Sequence, residues 1–386
     1  MSTPVQNPEA GFRYELQKVA PGLVLLLCCA CLLLVGLIIL YSAGLGESGP
    51  AQTFIRKQAV YSVVGASAMF LVWKMNLEWP RRLVIPIAII SAALLVSVLI
   101  PGVARSINGS RRWLDLGPVN MQVSDFAKIG LVFVLAHYLA IEQRRIHSFK
   151  RGYLVPLCIV GTAFLLIIKQ PDFGTALLVG VVGGSMIFMA GARMLFILPT
   201  ALLGAVLFSV AVYMDPVRLK RIMSFLDVEG NKSEGSYQLW QGILAFGSGG
   251  WSGVGLGSGR QQNSLPEVHT DFVFAIVGEE LGFVWTSAVV LLFLTILSVA
   301  VMRLRHAPNM YQFLVVSGAL LLLTLQALIN FGVVTGCLPT KGMSLPFISY
   351  GGSNLVATCI LVGIILNGVS RWGRVSNLTP NEVMRK

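Results

Sequence analysis

Residues 265–271 read Leu-Pro-Glu-Val-His-Thr-Asp and stop where a long apolar run begins at Phe272. Two carboxylates, Glu267 and Asp271, and one imidazole, His269, therefore sit at a membrane boundary in a chain that is only 12% charged. An acidic group held where water meets lipid is well placed to take a proton from a membrane-anchored substrate, and Asp271 stands nearest the apolar run. Its structural alternative is to cap the helix that opens at Phe272, and Glu267 also fits ordinary loop charge. Glu279 lies eight residues beyond Asp271 on nearly the same helical face, and Glu280 follows it. Carboxylates repeated along one stripe predict a hydrated pocket with Asp271 at its mouth. His269, two residues before Asp271, is poorly spaced for a helical pair. With His137, His147 and His306 scattered elsewhere, no histidine-based zinc site is expected.

A second group lies upstream. Asp125 and Lys128 are three apart at the start of an apolar run and share one helical face, with Arg111 and Arg112 just before them. Charges at membrane depth face protein or water, so a polar cavity competes with a structural ion pair. Asp172, in the run Lys-Gln-Pro-Asp-Phe-Gly-Thr at 169–175, either caps a helix starting near Gly174 or lines the same cavity. Residues 338–354 carry two prolines and a glycine pair near membrane depth, where irregular backbone must be shielded or line a cavity. Lys341, Ser349, Tyr350 and Ser353 of that segment are candidates to hydrogen-bond a sugar or diphosphate, with the hydroxyls expected to be exposed. The glycine-rich stretch 247–257 follows no strand and sits on the outer side, so it is not a nucleotide loop. It serves either a tight turn or close approach to a ligand. No nucleophile elbow appears.

These groups need elements to hold them, and composition says which. The 386 residues are 55% hydrophobic, too apolar for a soluble domain, and about ten stretches are long enough to cross a bilayer as helices. They fall near 22–44, 56–74, 83–101, 124–142, 152–168, 174–191, 194–213, 272–301, 310–336 and 351–370. The expected fold is an all-α integral membrane protein: a tail at 1–21, a polytopic domain at 22–370 and a tail at 371–386. Its largest outer loop, about 214–270, falls between helices 7 and 8. That loop is rich in aromatic and apolar residues, so part of it should lie as an amphipathic helix on the membrane.

The net charge of +12 would suggest nucleic acid in a soluble protein. Here Arg81, Arg82, Arg144, Arg145, Lys150, Arg151, Arg193, Arg303 and Arg305 fall on one side, with Arg13, Lys18 and the C-terminal basic residues. That side reads as cytoplasmic, and an even number of spans puts both termini there. Arg105, Arg111, Arg112, Arg218, Lys220 and Arg221 break the rule on the opposite side. They either bind something anionic outside or touch lipid headgroups. No cleavable signal peptide is visible, and the six cysteines offer no disulfide framework.

Five segments, in this order and topology, resemble the SEDS family of bacterial cell-wall proteins (shape, elongation, division and sporulation). They are Gly109-Ser110-Arg111-Arg112-Trp113-Leu114, Gln170-Pro171-Asp172-Phe173-Gly174-Thr175, Gly247-Ser248-Gly249-Gly250, Pro266-Glu267-Val268-His269-Thr270-Asp271-Phe272 and Ile348-Ser349-Tyr350-Gly351-Gly352-Ser353. Pro339-Thr340-Lys341-Gly342 and Val277-Gly278-Glu279-Glu280-Leu281-Gly282 look more like the division branch than the elongation branch. The resemblance implies a peptidoglycan glycosyltransferase polymerising lipid II outside the inner membrane. It also implies Asp271 as the essential outer-loop aspartate and Asp125, Lys128 and Asp172 as cavity residues. Partners implied are a class B penicillin-binding protein and other divisome proteins; no nucleic acid is expected.

The chain departs from the family where Val123 and Asp125 replace a usual Pro and Glu, and where Asn354 replaces a second serine. Asp being one methylene shorter, a looser or water-bridged contact to Lys128 is expected. The reaction implied is inverting glycosyl transfer, with Arg111, Arg112, Lys128 or Arg218 and Arg221 meeting the leaving diphosphate. A divalent cation, Mg or Mn, could share that work, with no all-protein cage in sight. The alternatives are a lipid II flippase, with the intramembrane charges as its path, or a non-catalytic scaffold that activates a transpeptidase.

Overall fold

A computed structural model describes residues 8–43, 50–107, 110–115, 117, 120–230, 236–261 and 269–372. A chain in lipid must bond every backbone N–H and C=O within the segment, so apolar runs of this length become helices. In order they are α1 (Pro8–Ala43), α2 (Pro50–Lys74), α3 (Glu78–Arg82), α4 (Val84–Ser97), α5 (Val123–Ile141) and α6 (Val155–Ile168). Then follow α7 (Phe173–Met189), α8 (Met194–Tyr213), α9 (Pro216–Leu226), α10 (Tyr237–Gly249), α11 (Val273–Leu304), α12 (Met310–Val334) and α13 (Gly352–Arg371). Among the described residues seven helices are long and apolar enough to cross a membrane, and α4 and α7 are shorter apolar helices. With the 25-residue α2, each of the ten expected runs is helical. The chain is thus a multi-pass, predominantly α-helical membrane protein.

One element is additional to that expectation. Between α4 and α5 the chain forms an antiparallel sheet of β1 (Ala104–Ile107), β2 (Ser110–Asp115) and β3 (Asn120–Gln122), with Trp113 opposite both Arg105 and Gln122. It delivers Arg112 and Gln122 toward the start of α5.

The helices differ sharply in how much protein surrounds them. α13 is central, packed on α2, α12, α1, α11 and α5, and is buried along most of its length. α8 is at the rim, meeting α7, α9 and, through Phe196, the rings of Phe149 and Tyr153, and leaving Leu195, Leu198 and Leu202 facing outward as a lipid-bathed helix allows. At one end of the bundle the basic connections meet: Arg81 pairs with Glu78 (3.2 Å), Asn309 donates to Glu78 (3.0 Å), and Arg371 donates to the Lys74 carbonyl (2.6 Å). The sheet, α9, α10 and residues 337–350 join the helices at their other ends.

The run expected to cross as one helix at 272–301 is two helices. Gly282, at φ 79° and ψ −174°, breaks α11. A break of this kind orphans backbone groups on both sides, and here the glycine-rich segment after α10 satisfies them. Val254 and Gly255 N–H donate to the Glu279 and Glu280 carbonyls (3.0 and 3.1 Å). Phe283 and Val284 N–H donate in turn to the Gly250 and Trp251 carbonyls (2.9 and 3.3 Å). Such proximity requires glycine: a Cβ on Gly253 would fall 2.1 Å from the Glu280 carbonyl oxygen, and one on Gly282 would fall 2.3 Å from Gly253 N. Of the two readings of this stretch, the tight turn is the one seen.

The same loop claims the two neighbouring carboxylates. Glu279 and Glu280 are both 1% exposed. Glu279 accepts from the N–H groups of Arg260 (2.8 Å) and Gln261 (3.1 Å), and Glu280 accepts from Gly257 N–H (3.2 Å). The expected stripe of carboxylates lining a hydrated pocket with Asp271 is therefore corrected. Desolvated loop N–H groups needed acceptors, and these two side chains supply them.

Candidate functional site

The site is assembled from three pieces of irregular backbone. The first is residues 269–271. Three consecutive carbonyls here are each held by a different donor: His269 by Tyr350 N–H (2.8 Å), Thr270 by the Ser349 hydroxyl, and Asp271 by the Asn330 amide (2.9 Å). The N-cap position of α11 is Phe272, so Asp271, for which capping was the alternative reading, stands one residue before it. Its half-buried carboxylate turns instead toward residue 342, where a Cβ would fall 2.5 Å from Asp271 Oδ2. Gly342 makes room for it.

The second piece is the start of α7. Asp172 caps this helix through Thr175 N–H (3.2 Å) and also accepts from the Thr175 hydroxyl (2.8 Å). It caps the helix and simultaneously faces Arg112 Nη1 (3.7 Å) and Gln122 Nε2 (3.4 Å). On the next residue, Phe173, the Arg218 guanidinium stacks 3.4 Å from the ring centroid while bonded to Asp215 (3.0 Å). On the residue after that, the Lys341 ammonium lies across Gly174, 0.9 Å from where a Cβ would stand. Three successive residues at a helix N-terminus thus each carry a cation, and the helix dipole adds to the positive field. Burial pushes Lys341 down to about 8, Arg112 and Arg221 push the same way, and Asp172 opposes them. Arg221 is exposed on α9 beside this group.

The third piece, residues 341–349, joins the other two. Lys341 lies on the cationic turn of α7 and its neighbour Gly342 lies on Asp271. α12 grips the backbone just beyond: Asn330 donates to the Met343 carbonyl (2.6 Å) and Gln326, one turn earlier, to the Ser344 carbonyl (3.0 Å). Gln326 also accepts from Lys128 (3.0 Å) and donates to Asn354 (2.9 Å).

Several expectations change here. Asp125 and Lys128 touch directly at 2.9 Å, not through a looser or water-bridged contact, because both are buried and Lys128 reaches inward along its own helix face. Lys128 is thereby ion-paired with Asp125 and bonded to Gln326 inside the bundle. Ser349 and Ser353 are 2% and 4% exposed, not open hydroxyls. Ser349 ties Leu345 N–H (2.7 Å) to the Thr270 carbonyl, and Ser353 bridges Gln122 N–H (3.2 Å) and Asp125 (3.2 Å). Tyr350 is half-buried and stacks edge-on against Phe54 at 5.0 Å, and burial raises its phenol above the ordinary value. Phe54 also meets the His269 ring, at 5.5 Å. Arg111 sits on β2 opposite Ser106, but its side chain and all of Glu267 lie outside the described residues.

Gln122, Gln326 and Asn330 were not foreseen. The signal was present in α12: two amides one helical turn apart in an otherwise apolar stretch, Leu320 to Val334, share a face and need partners once buried.

The cell cycle protein family of FtsW, RodA and SpoVE matches residues 23–371. The chain is similar to Stage V sporulation protein E of Bacillus subtilis, 39% identical over 369 residues, covering 93% of this chain and 99% of that one. It is also similar to the probable peptidoglycan glycosyltransferase FtsW of Trichlorobacter lovleyi, 35% identical over 365 residues, covering 93% and 96%. Among solved structures it is similar to a chain of a peptidoglycan synthase complex described for its structural coordination of polymerization and crosslinking. That likeness has a TM-score of 0.76 at 27% identity and covers 91% of this chain and 98% of the other.

Proposed function

This chain belongs to the FtsW, RodA and SpoVE family of cell cycle proteins, and we propose that it works as follows. It is a peptidoglycan glycosyltransferase. Its substrate is lipid II, a disaccharide-peptide carried on undecaprenyl diphosphate. The observation that carries this reading is the adjacency of a base and an anion cradle. Lys341 and Gly342 are neighbours in the chain, one against the cationic turn of α7 and the other against the Asp271 carboxylate. Consecutive Cα atoms are about 3.8 Å apart, so a proton acceptor and a diphosphate site lie within one substrate's reach.

Asp271 takes the proton from the acceptor's GlcNAc 4-hydroxyl. That oxygen attacks the anomeric carbon of the donor MurNAc, the bond from that carbon to the diphosphate oxygen breaks, and configuration inverts. Undecaprenyl diphosphate leaves with the electron pair. It is already a good leaving group, so no protein acid is required, and Arg112, Arg218, Arg221 and Lys341 meet its charge. A positioned base of this kind typically contributes about 10²–10⁴-fold. Among the described residues no three His, Cys, Asp or Glu side chains converge on a common point. A divalent ion such as Mg or Mn, when bound, would supply further positive charge to the leaving diphosphate.

The alternative of a lipid II path through the intramembrane charges is less well supported. Asp125, Lys128, Gln326 and Asn354 are already bonded to one another. The basic connections gathered at one end of the bundle support placing both termini in the cytoplasm and the site outside. A class B penicillin-binding protein is the expected partner, with other divisome proteins around it, in keeping with a relative known from a polymerising and crosslinking complex.

The test is polymerisation of labelled lipid II by purified protein. Asp271→Asn should leave glycan product at least 10²-fold below the parent while the protein stays folded. Normal product from that variant removes the base assignment.

A further inference from the structure

An aspartate in an outer loop serves as a general base only if something fixes its distance from the reacting hydroxyl. The fixing element here is not among the charged residues. Asn330 projects from near the C-terminal end of α12, is 1% exposed, and donates both hydrogens of its amide to backbone carbonyls: Asp271 at 2.9 Å and Met343 at 2.6 Å. Two acceptors can be satisfied only by the NH₂ group, so the orientation of the amide is determined by its surroundings and not by choice. Its Oδ1 is buried without a hydrogen-bond partner among the described residues. A buried acceptor left unsatisfied is costly, so the amide is retained for its two donor contacts and in spite of its oxygen.

The two carbonyls belong to segments far apart in sequence. One ends the loop that carries the base; the other lies one residue beyond Gly342, against which the base carboxylate rests. We infer that Asn330 is the positioning residue of the glycosyl transfer: it staples the Asp271 backbone to the 341–344 segment and so sets the carboxylate against Gly342 and beside Lys341. This rests on the reading of Asp271 as general base. Asn330 touches neither substrate nor the proton in flight; it acts through Asp271.

A misplacement of about 1 Å at a reacting group costs on the order of 10²-fold in rate, which sets the scale of the expected effect. Asn330→Leu fills the same space without a donor, and Asn330→Ala leaves a cavity. A role in packing alone would be rescued by leucine. Positioning predicts that both variants lower kcat for labelled lipid II by about 10- to 100-fold, with KM changed less than about twofold. Gly342→Ala tests the same geometry from the other side, because its methyl would meet only the end of the Asp271 side chain. It should lower kcat while keeping the melting temperature of the parent. Parent-like kcat in Asn330→Leu overturns the inference, and if both Asn330 variants fail to fold, parent-like kcat in Gly342→Ala does so. Asp271→Asn run in parallel separates the two ideas. If it is dead while Asn330→Leu is fully active, the positioning role fails and the base stands. If it is active, the base reading fails first.

Discussion

Asp271 and the pair Glu279–Glu280 are carboxylates of one short stretch of chain, yet they are put to opposite uses. Glu279 and Glu280 are closed in completely, and each accepts from N–H groups of the loop after α10, although Glu280 Oε2 is buried without a hydrogen-bond partner among the described residues. At Asp271 the backbone carbonyl is tied down by Asn330 and the half-buried side chain lies against a glycine. A carboxylate bonded to fixed backbone donors is held in one place, and its job is to satisfy the fold. A carboxylate whose backbone is clamped and whose head lies against Gly342 is the one proposed to accept a proton. Residue type does not distinguish the two; the answer lies in which atoms are immobilised.

Substitutions can break this contrast, and the largest effect should come from the base. Asp271→Asn should cost at least 10²-fold in polymerisation with the melting temperature unchanged. Glu279→Ala should do the reverse: two charge-assisted bonds are lost in a buried place, removing on the order of 3 kcal/mol of stability. Its readout is a lower melting temperature, with turnover per folded molecule close to the parent. If Glu279→Ala instead abolished turnover in a fully stable protein, the division of labour would be wrong. Gly282→Ala comes next, since its positive φ and the 2.3 Å approach to Gly253 N make even a methyl group costly, about 2 kcal/mol by thermal melting. The smallest effect concerns the cation beside the base. Lys341 is depressed to about 8, so it is charged below that pH and neutral above it. Turnover should therefore fall as pH rises through about 8. Lys341→Arg should push that decline to higher pH, and Lys341→Met should remove it while lowering the rate at neutral pH by about tenfold.

The ten apolar helical runs were legible because lipid leaves so few solutions for an apolar run, and residues 265–271 stood out because charge at such a boundary is rare. What escaped the sequence was long-range. The break at Gly282 is invisible because a single glycine in Glu-Glu-Leu-Gly-Phe sits at ordinary helical spacing; only the loop bonded to it reveals the change of direction. The same ignorance of partners made Glu279 and Glu280 look like pocket residues. It also made Ser349 and Ser353 look like open hydroxyls, when each is committed to backbone or to Asp125. The cationic turn could be read only in part. Arg112, Asp172, Arg218 and Lys341 were each picked out, but nothing in their spacing says that three successive residues of α7 receive them. The sheet that carries Arg112 was missed because its strands are three to six residues long.

The wedge at Gly282 also restricts how this protein can diverge. Gly249, Gly253 and Gly282 meet backbone to backbone across two segments some thirty residues apart. No one of them can acquire a side chain while the other two stay as they are. They form a single heritable unit, to be kept or rebuilt together, whereas the lipid-facing positions of α8 are free to drift one at a time among apolar residues. Descendants of this chain that lose one of the three glycines should therefore show compensating change in the opposing segment, a signature that can be sought in their sequences without any assay.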